Sequence, residues 1–538
     1  MKPPWIKYLL PSSAELIFLV IFFQLVLSTG KLLNDGDTGY HIRAGDFILQ
    51  NRMVPKTDVF SLWVPPLPWT AHEWLSEVIM AVVHRVSGLT GIVIFFALII
   101  ALTYLWLFKM LRDKSPDIPL ALLIAAMAAI CSSLHWLARP HIFSLALTVV
   151  WYSILNGFQY KEKNQLYLLP PLMLLWVNLH GGYIFGLILL IVYACGNLAA
   201  WCFDDRSMAS QRINKVKPLA MVLAACLAVS LLNPHGYRIL LFPFTVASDT
   251  FLMDNVQEFL SPNFHKPLPF KYLLLATIGL FAVSRIALNW IELGLVLLVT
   301  YMALYSARYI PLYTIIIAPI LLGLIDRLKV DLPRRGFEWL ARRSANFSFI
   351  DAGTRGHLWP AVGIAGVLTF SHMNTLHAEF NNKLFPKAAV EFLMAQKIPG
   401  NMFNNDEFGD YLIYTAWPEY KVFFDGRSDM YGAKLGNDYL QVAHTLPGWE
   451  DVLQKHQVEW IFFNTDSVLS ARLKSHPRWR LIYSDAVASI FVRDKAKYHH
   501  WIAKYSSGAA AHSQNADEIL SRQKTPKTSN LLDLGELQ

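Results

Sequence analysis

Acidic, basic and imidazole side chains recur in the short polar segments that separate long apolar runs of this sequence. An Asp-Gly-Asp motif at Asp35 to Asp37 opens the first polar segment, and a His-Glu pair lies near its end. The candidate residues for chemistry are Asp35, Asp37, His41, His72, Glu73, Arg139, His141, Asn178, His180, His235 and Arg308. A carboxylate can act as a general base, imidazoles can bind hydroxyl groups or metals, and guanidinium groups bind phosphates. The sequence therefore offers both a proton acceptor and phosphate ligands.

Each of these residues also has a purely structural interpretation. Asp37 suits the N-cap of a helix over about 38–50, and Glu73 fits a capping box. Arg139 and Arg308 could extend to lipid headgroups, and Asn178 could cap a helix end. Only the convergence of these residues in one place would favour a functional site.

The composition indicates which elements must position these residues. The chain has 538 residues, of which 54% are hydrophobic and only 16% are charged. A soluble domain carries about 25% charged residues, so the sequence excludes an ordinary soluble enzyme and indicates a polytopic membrane protein. The net charge of +8 comes from basic residues clustered in short loops, which does not indicate nucleic acid as a partner. The four cysteines show no pairing or metal-binding spacing.

The apolar pattern predicts about eleven transmembrane helices, the first of which we expect to be retained rather than cleaved as a signal peptide. Lys and Arg are more numerous in the loops that face the cytoplasm when the N-terminus is inside, as the positive-inside rule requires. The predicted spans are 14–33, 89–110, 119–137, 142–159, 165–179, 183–203, 217–232, 271–288, 290–306, 309–325 and 358–373.

Three regions follow from this pattern. Residues 1–373 form the membrane domain, with a large first external loop at 34–88 that ends in an amphipathic helix. Residues 374–505 form an extracytoplasmic α/β domain with strands at 421–424, 458–463, 480–483 and 488–492 and helices near 386–397, 434–446 and 466–474. Residues 506–538 form a disordered tail.

This topology puts every candidate residue on the external face of the membrane. Ionisable and amide side chains beside apolar helices are costly to desolvate, so their recurrence at one depth favours a shared water-filled cavity. The cytoplasmic loops carry no comparable set of His, Asn and Asp residues. We therefore expect parts that are far apart along the chain to meet at one external site.

An acidic first external loop is followed by a juxtamembrane helix and many spans. In this order of elements the chain resembles the GT-C superfamily of membrane glycosyltransferases, most strongly over residues 1–120. The chain also resembles bacterial GT-C-like proteins of unassigned substrate. The motifs that carry this second resemblance are Asp35-Gly36-Asp37, His72-Glu73-Trp74-Leu75, Arg139-Pro140-His141, Asn178-Leu179-His180-Gly181 and Phe424-Asp425-Gly426-Arg427.

The resemblance implies an inverting transfer of a hexose or pentose from a polyprenyl-phosphate donor to a lipid, glycan or protein acceptor, as in cell-envelope polysaccharide synthesis. Asp35 or Asp37 would be the general base, and a divalent metal held by Asp35, Asp37 and His72 stays open. Arg139 and Arg308 would bind the phosphate. The remaining substrate-binding candidates are His41, His72, Glu73, His141, Asn178, His180 and His235. The implied location is the bacterial inner membrane, with the C-terminal domain in the periplasm.

Two other functions are compatible with the sequence. A lipid or polysaccharide transporter would need ionisable residues near the middle of the membrane or on both faces, and few occur within the predicted spans. Alternatively, the membrane part could be an anchor or assembly partner for a polysaccharide machine, with the soluble domain as the functional unit. In the soluble domain Asp425-Gly426-Arg427, which follows a predicted strand, could contact a ligand such as the acceptor or could simply form a turn.

Overall fold

A computed structural model describes residues 6–28, 30–204, 209–284, 286–331, 338–354, 356–373 and 375–505. The predicted tail at 506–538 lies outside the described residues. The described chain forms two compact units. The first comprises the described parts of Met1–Asp58, Leu67–Phe380 and Ser428–Ala433, and the second those of Val59–Pro66, Asn381–Arg427 and Lys434–Gln538. The predicted boundary between 373 and 374 stays a prediction.

Helices make up nearly all of the regular structure in the first unit. They are α1 (Ile6–Leu9), α2 (Ser13–Leu27), α3 (Asp37–Asn51), α4 (Trp74–Arg112), α5 (Ile118–Ser132), α6 (His141–Tyr160), α7 (Leu169–Leu179), α8 (Tyr183–Phe203), α9 (Ala209–Ser230), α10 (Arg238–Ser248), α11 (Thr250–Asn255), α12 (Pro269–Ser284), α13 (Trp290–Tyr305), α14 (Ile310–Asp331), α15 (Glu338–Gly353) and α16 (Trp359–His372). Local signals set several of their ends. For example, α2 begins with a capping box in which Ser12 and Glu15 satisfy each other's backbone N–H groups.

Six helical segments within the described residues are long and apolar enough to cross a membrane. They are Trp74–Arg112, Ile118–His135, His141–Tyr160, Tyr183–Phe203, Gln211–Ser230 and Ala307–Lys329. Large apolar side chains such as Leu123 and Ile130 are more than half exposed, at 56% and 57%, which suits a lipid-facing surface. Each of the eleven predicted spans overlaps a helix, but the remaining helices are shorter than 18 residues. The count of eleven spans is therefore not confirmed.

The long helix α4 contains the end of the predicted external loop. Its backbone leaves the helical conformation at Ser87 and at Gly88, whose φ of 58° favours glycine. The amphipathic part that begins at Trp74 is thus separated from the apolar part that follows. The break falls where the sequence predicts the change from the external helix to the span at 89–110.

Close helix packing fixes the shape of the first unit. A Cβ atom on Gly45 of α3 would lie 1.9 Å from the backbone oxygen of Glu77 in α4, so only glycine permits this approach. Deeper in the unit, the rings of Trp151 in α6 and Trp176 in α7 meet edge to face with centroids 5.7 Å apart. Both tryptophans are fully buried in an apolar core that also contains Tyr313 of α14.

A four-stranded mixed sheet forms the centre of the second unit. Its strands are β1 (Asn401–Asn404), β2 (Val458–Asn464), β3 (Trp479–Ser484) and β4 (Ala488–Arg493), in the order β1-β2-β4-β3. Strand β1 runs parallel to β2, whereas the other two pairs are antiparallel. The helices further along the chain are α17 (Lys387–Gln396), α18 (Asp406–Ala416), α19 (Ser428–Ala443), α20 (Trp449–Lys455) and α21 (Val468–Lys474).

The strand predicted at 421–424 is wrong, whereas the other three predicted strands coincide with β2, β3 and β4. Residues 421–424 form only one isolated bridge, in which Val422 pairs with Ser61. The strand that pairs with β2 is instead Asn401–Asn404. Its first and last residues are polar, so its strand character is hard to recognise in the sequence. The run at 421–424 is apolar because Val422, Phe423 and Phe424 are buried, and burial alone does not distinguish a strand from an ordered loop.

Candidate active site

Three carboxylates of the first unit converge on the guanidinium group of Arg139. Its Nη1 donates to Oδ2 of Asp35 at 2.8 Å and to Oε1 of Glu258, and its Nη2 lies 2.6 Å from Oδ2 of Asp37. Arg139 lies two residues before α6, Asp37 is the first residue of α3 and Asp35 lies two residues before it, and Glu258 lies in a 3₁₀ turn at Gln257–Phe259. Charge-assisted hydrogen bonds of this kind are the strong ones in proteins.

Backbone contacts hold the Asp-Gly-Asp turn beside Arg139. Oδ1 of Asp35 accepts a hydrogen bond from the Asp37 amide at 2.8 Å, which closes an Asx turn. The hydroxyl of Thr38 donates to the Ala138 carbonyl at 3.1 Å, and the Ala138 amide donates to the Leu32 carbonyl at 2.8 Å. The acidic turn and the residue before Arg139 are therefore tied together independently of the ion pairs.

A second group of polar residues continues from this cluster. Nη1 of Arg308 lies 4.0 Å from Oε2 of Glu258, and its Nη2 lies 3.4 Å from Nε2 of His180. Nε2 of His180 lies in turn 3.4 Å from Oε1 of Glu73. Contacts thus run without a gap from Asp35 and Asp37 through Arg139, Glu258, Arg308 and His180 to Glu73. Residues far apart along the chain meet at the ends of apolar helices.

Three imidazoles surround the Glu73 carboxyl, which lies just before α4 and is 9% exposed. Nε2 of His41 lies 3.6 Å from Oε2, while Nε2 of His72 and Nε2 of His180 lie 3.7 and 3.4 Å from Oε1. The other ring nitrogen of His41, Nδ1, lies 3.5 Å from Oε1 of the buried Glu77. The tight packing of α3 on α4 at Gly45 brings His41 into this position.

Hydrogen bonds orient the His180 ring. The Gly182 amide donates to Nδ1 at 2.9 Å, and Oγ of Ser144, which accepts from Trp176 Nε1 at 2.7 Å, also lies 2.7 Å from Nδ1. Because Nδ1 accepts from a backbone amide, the neutral ring is assigned its proton on Nε2, which faces Glu73. Burial, followed by the charge of Arg308, lowers the pKa of His180 well below its usual value. His180 is therefore neutral at physiological pH.

Replacing Gly182 by alanine should destabilise this region. A Cβ atom there would lie 2.5 Å from Ser144 Oγ and 2.9 Å from His180 Nδ1, so both side chains must move. We expect a loss of about 1–3 kcal/mol, measured as a lower unfolding temperature in detergent. Gly279→Ala is the matched control because a Cβ atom on Gly279 meets nothing within 4 Å. Equal unfolding temperatures for the two variants would contradict the packing described here.

Burial and charge act in opposite directions on two carboxyl groups of the site. Burial raises the pKa of Glu73, and the nearby positive charges, those of Arg139 and Arg308 among them, do not cancel this effect. Burial also raises the pKa of Glu258, but the charges of Arg139 and Arg308 outweigh it and hold that pKa well below its usual value. Glu258 is thus a permanent anion, whereas Glu73 is more basic than an ordinary carboxylate.

The remaining predicted residues border the same cluster. His141 Nε2 lies 2.7 Å from the His135 carbonyl oxygen, and its ring meets the ring of His180 with centroids 6.5 Å apart. Oδ1 of Asn178 accepts from Trp74 Nε1 at 2.8 Å, and its amide donates to the Leu174 carbonyl, so both ends of this side chain serve the fold. His235 is half-buried in the turn after α9. The substrate-binding roles of these three residues stay predictions.

Glu258 is a site residue that the sequence did not predict, although a signal was available. In the predicted topology Glu258 lies in an external loop, on the same face as the other acidic residues. It was missed because no motif surrounds it. Ser144 was missed because a serine within an apolar helix normally bonds to its own backbone.

A divalent metal held by Asp35, Asp37 and His72 is left open by the sequence. Among the described residues, no group of three or more His, Cys, Asp and Glu side chains is arranged to hold a metal ion. Of the predicted ligands, Asp35 and Asp37 both pair with Arg139, while His72 lies against Glu73 and its Nδ1 faces the Thr70 carbonyl oxygen. The residues present do not fit a metal in this arrangement.

The Asp425-Gly426-Arg427 motif of the second unit forms a buried turn. Nε and Nη2 of Arg427 donate to Oδ1 and Oδ2 of Asp425 at 2.9 and 2.6 Å, and both side chains are almost fully buried. The Gly426 amide donates to the carboxylate of Asp410 at 3.0 Å. These contacts give the motif a structural role, so they do not favour the second unit as the functional one.

Comparison with known proteins gives a likeness in three dimensions. No protein-family model and no curated protein sequence matches the chain. The archaeal oligosaccharyltransferase AglB from Archaeoglobus fulgidus, solved with an inhibitory peptide and dolichol-phosphate, superposes with a TM-score of 0.52 at 12% identity, over 84% of this chain and 69% of that one.

Two further structures of the oligosaccharyltransferase from Archaeoglobus fulgidus each cover 90% of this chain and 74% of their own, with TM-scores of 0.50. One is the apo form, at 11% identity, and the other is tethered to an acceptor peptide with the NVT sequon, at 13% identity. At such identities the likeness concerns the fold. The chain therefore has the fold of the archaeal oligosaccharyltransferase, and at the level of fold this agrees with the resemblance found in its sequence.

Proposed function

We propose that this protein transfers a sugar from a polyprenyl-phosphate-linked donor to an acceptor at the external face of a membrane. The observation that carries the proposal is the continuous cluster from Asp35 to Glu73 at the ends of apolar helices. Membrane glycosyl transfer needs an anionic leaving group to be held and a proton to be accepted, and this cluster offers both functions. A structural neighbour solved with dolichol-phosphate supports a lipid-linked donor, and one solved with a peptide supports a protein acceptor.

Arg308 is the proposed phosphate ligand. Its side chain is 31% exposed, and it lies in a 3₁₀ turn at Ala307–Tyr309, directly before α14. The sequence also predicts this role for Arg139, but its Nη1 and Nη2 donate to carboxylates in the structure. A guanidinium at the end of an apolar helix can bind the phosphate while the isoprenoid tail lies in the hydrocarbon layer. We therefore retain the phosphate role for Arg308 alone.

Glu73 is the proposed proton acceptor. The acceptor hydroxyl or amine attacks the anomeric carbon, the bond from that carbon to the phosphate oxygen breaks, and the phosphate leaves with the electron pair. The proton of the acceptor passes to the Glu73 carboxylate. A raised pKa suits a general base, whereas a carboxylate paired with a guanidinium is a weaker one.

Asp35 and Asp37 are proposed to orient the acceptor beside Arg139. This is the second of the two roles that the family resemblance implies for the acidic first loop. The side chain of Asp35 is 23% exposed and that of Asp37 is 11% exposed, so both lie at the edge of the site. The proposed location is the bacterial inner membrane, with the N-terminus in the cytoplasm and the C-terminal domain in the periplasm.

The experiment is a transfer assay on the purified full-length protein with labelled polyprenyl-phosphate sugars, in which release of the polyprenyl phosphate is followed. We expect release by the wild type, and turnover at least about tenfold lower in both Asp35→Asn and Asp37→Asn, since one charge-assisted contact contributes about 1.5–3 kcal/mol. Undiminished turnover in both variants would contradict these assignments. Movement of intact donor across vesicles without release would instead favour a transporter.

A further inference from the structure

Arg139 occupies the centre of an acidic site that comes from separate parts of the chain. Arg139 lies 104 residues along the chain from Asp35 and 119 residues from Glu258. Its side chain is 16% exposed, and those of Asp35, Asp37 and Glu258 are 23%, 11% and 27% exposed. Three anionic groups brought this close repel one another strongly unless a cation lies between them.

Two kinds of cation can neutralise such a group of carboxylates. A divalent metal ion would bind oxygen atoms at short distances in a shared coordination shell. A guanidinium instead presents five N–H donors in a plane and keeps its charge at every physiological pH. Here Nη1 of Arg139 binds the carboxylates of Asp35 and Glu258, while its Nη2 binds that of Asp37. One oxygen atom of each carboxylate is therefore already bound to a nitrogen of Arg139.

A second guanidinium, that of Arg308, also lies beside the carboxylates. Arg308 lies 4.0 Å from the other carboxylate oxygen of Glu258, so two guanidinium charges face three carboxylates. The charges of Arg139 and Arg308 lower the pKa of Glu258 against the effect of burial, which shows that the site already stabilises the ionised form. A divalent ion would have to displace Arg139 or accept its repulsion at close range.

We propose that the Arg139 side chain acts as a built-in cation that replaces a divalent metal among Asp35, Asp37 and Glu258. Two consequences follow. The wild-type protein needs no divalent metal for activity, and its carboxylates become a metal site only when the charge of Arg139 is removed. The first consequence rests on the proposed function, whereas the second is a binding property that can be measured without any sugar transfer.

The test is a Mn²⁺ titration of the full-length protein in detergent, followed by electron paramagnetic resonance and by the unfolding temperature. We expect no saturable Mn²⁺ binding by the wild type. Arg139→Gln should bind Mn²⁺ at least about tenfold more tightly, because three carboxylates lose their common cation. Arg139→Lys keeps the charge and should bind like the wild type. The matched control is Arg85→Gln, which leaves only Asp46 without its 2.7 Å partner and should create no site.

A wild type that binds Mn²⁺ saturably and unfolds at a higher temperature with it would overturn the inference. The Mn²⁺ titration of the wild type tests the inference even if Arg139→Gln fails to fold. Chelator treatment of the wild type adds a second readout, in which unchanged stability and unchanged transfer are expected, and loss of transfer that Mn²⁺ restores would also overturn the inference. Absence of any transfer would contradict the proposed function but would leave the Mn²⁺ titration as the test of Arg139.

Discussion

Glu73→Gln lowers the turnover of sugar transfer by about 10²–10⁴-fold if Glu73 accepts the acceptor proton, which is the usual range for a general base. The substitution keeps the size of the side chain and removes its charge and its basicity. The measurement is the rate of polyprenyl phosphate release at saturating donor and acceptor. Binding of the donor should change little, so the loss should appear in kcat rather than in KM.

The pH dependence of the same reaction provides an independent check. Burial raises the pKa of Glu73 above its ordinary value of 4.5, and the base works only when it is ionised. Turnover of the wild type should therefore fall as the pH decreases through this raised pKa, at a higher pH than for an ordinary glutamate. Glu73→Gln should lose this acidic limb, which a merely structural role for the side chain would not explain.

Asp46→Asn is the matched control for Glu73→Gln. Asp46 is also a buried carboxylate of the first unit, but it lies further along α3, about 13 Å from Asp37 along the helix axis. It pairs with Arg85 and has no place in the proposed mechanism. Turnover of Asp46→Asn should stay near that of the wild type. Full activity in Glu73→Gln, together with loss in Asp35→Asn and Asp37→Asn, would instead assign the proton-accepting role to Asp35 or Asp37.

Arg308→Gln weakens binding of the lipid phosphate by about 10- to 150-fold, which corresponds to the 1.5–3 kcal/mol of a hydrogen bond to a charged group. The measurement compares a polyprenyl phosphate with the corresponding polyprenyl alcohol as competitors of the donor. The wild type should prefer the phosphate, because Arg308 recognises its charge. The variant should bind the two lipids with similar affinity, since the isoprenoid tail is unchanged.

Arg85→Gln serves as the control for Arg308→Gln. It removes a guanidinium that pairs with Asp46 on the face of α4 toward α3, and it should leave the preference for the phosphate intact. The assignment of Arg308 fails if its variant still discriminates between the phosphate and the alcohol as the wild type does. A loss of preference in both variants would indicate a general effect of net charge.

The sequence predicted most of the helical structure because helix formation in a membrane depends on local properties. Each of the eleven predicted spans overlaps a helix, and the break at Ser87 and Gly88 coincides with the predicted end of the external loop. The apolar strands β2, β3 and β4 were also predicted from their local pattern. Strand β1 was not, because Asn401–Asn404 owes its place to pairing with β2, which lies more than fifty residues away.

The residue types available for chemistry, and their location in the polar segments between apolar runs, can be read from the chain alone, because hydropathy and charge are properties of the chain. Their partners follow from the fold. Arg139 fits a phosphate ligand in sequence, but the fold surrounds it with three carboxylates, one of which, Glu258, no motif indicates. Glu73 fits a helix cap, but the fold buries it among three imidazoles, and burial raises its pKa. Electrostatic environment depends on distance in space, and a distance across more than a hundred residues is set by packing rather than by any local pattern.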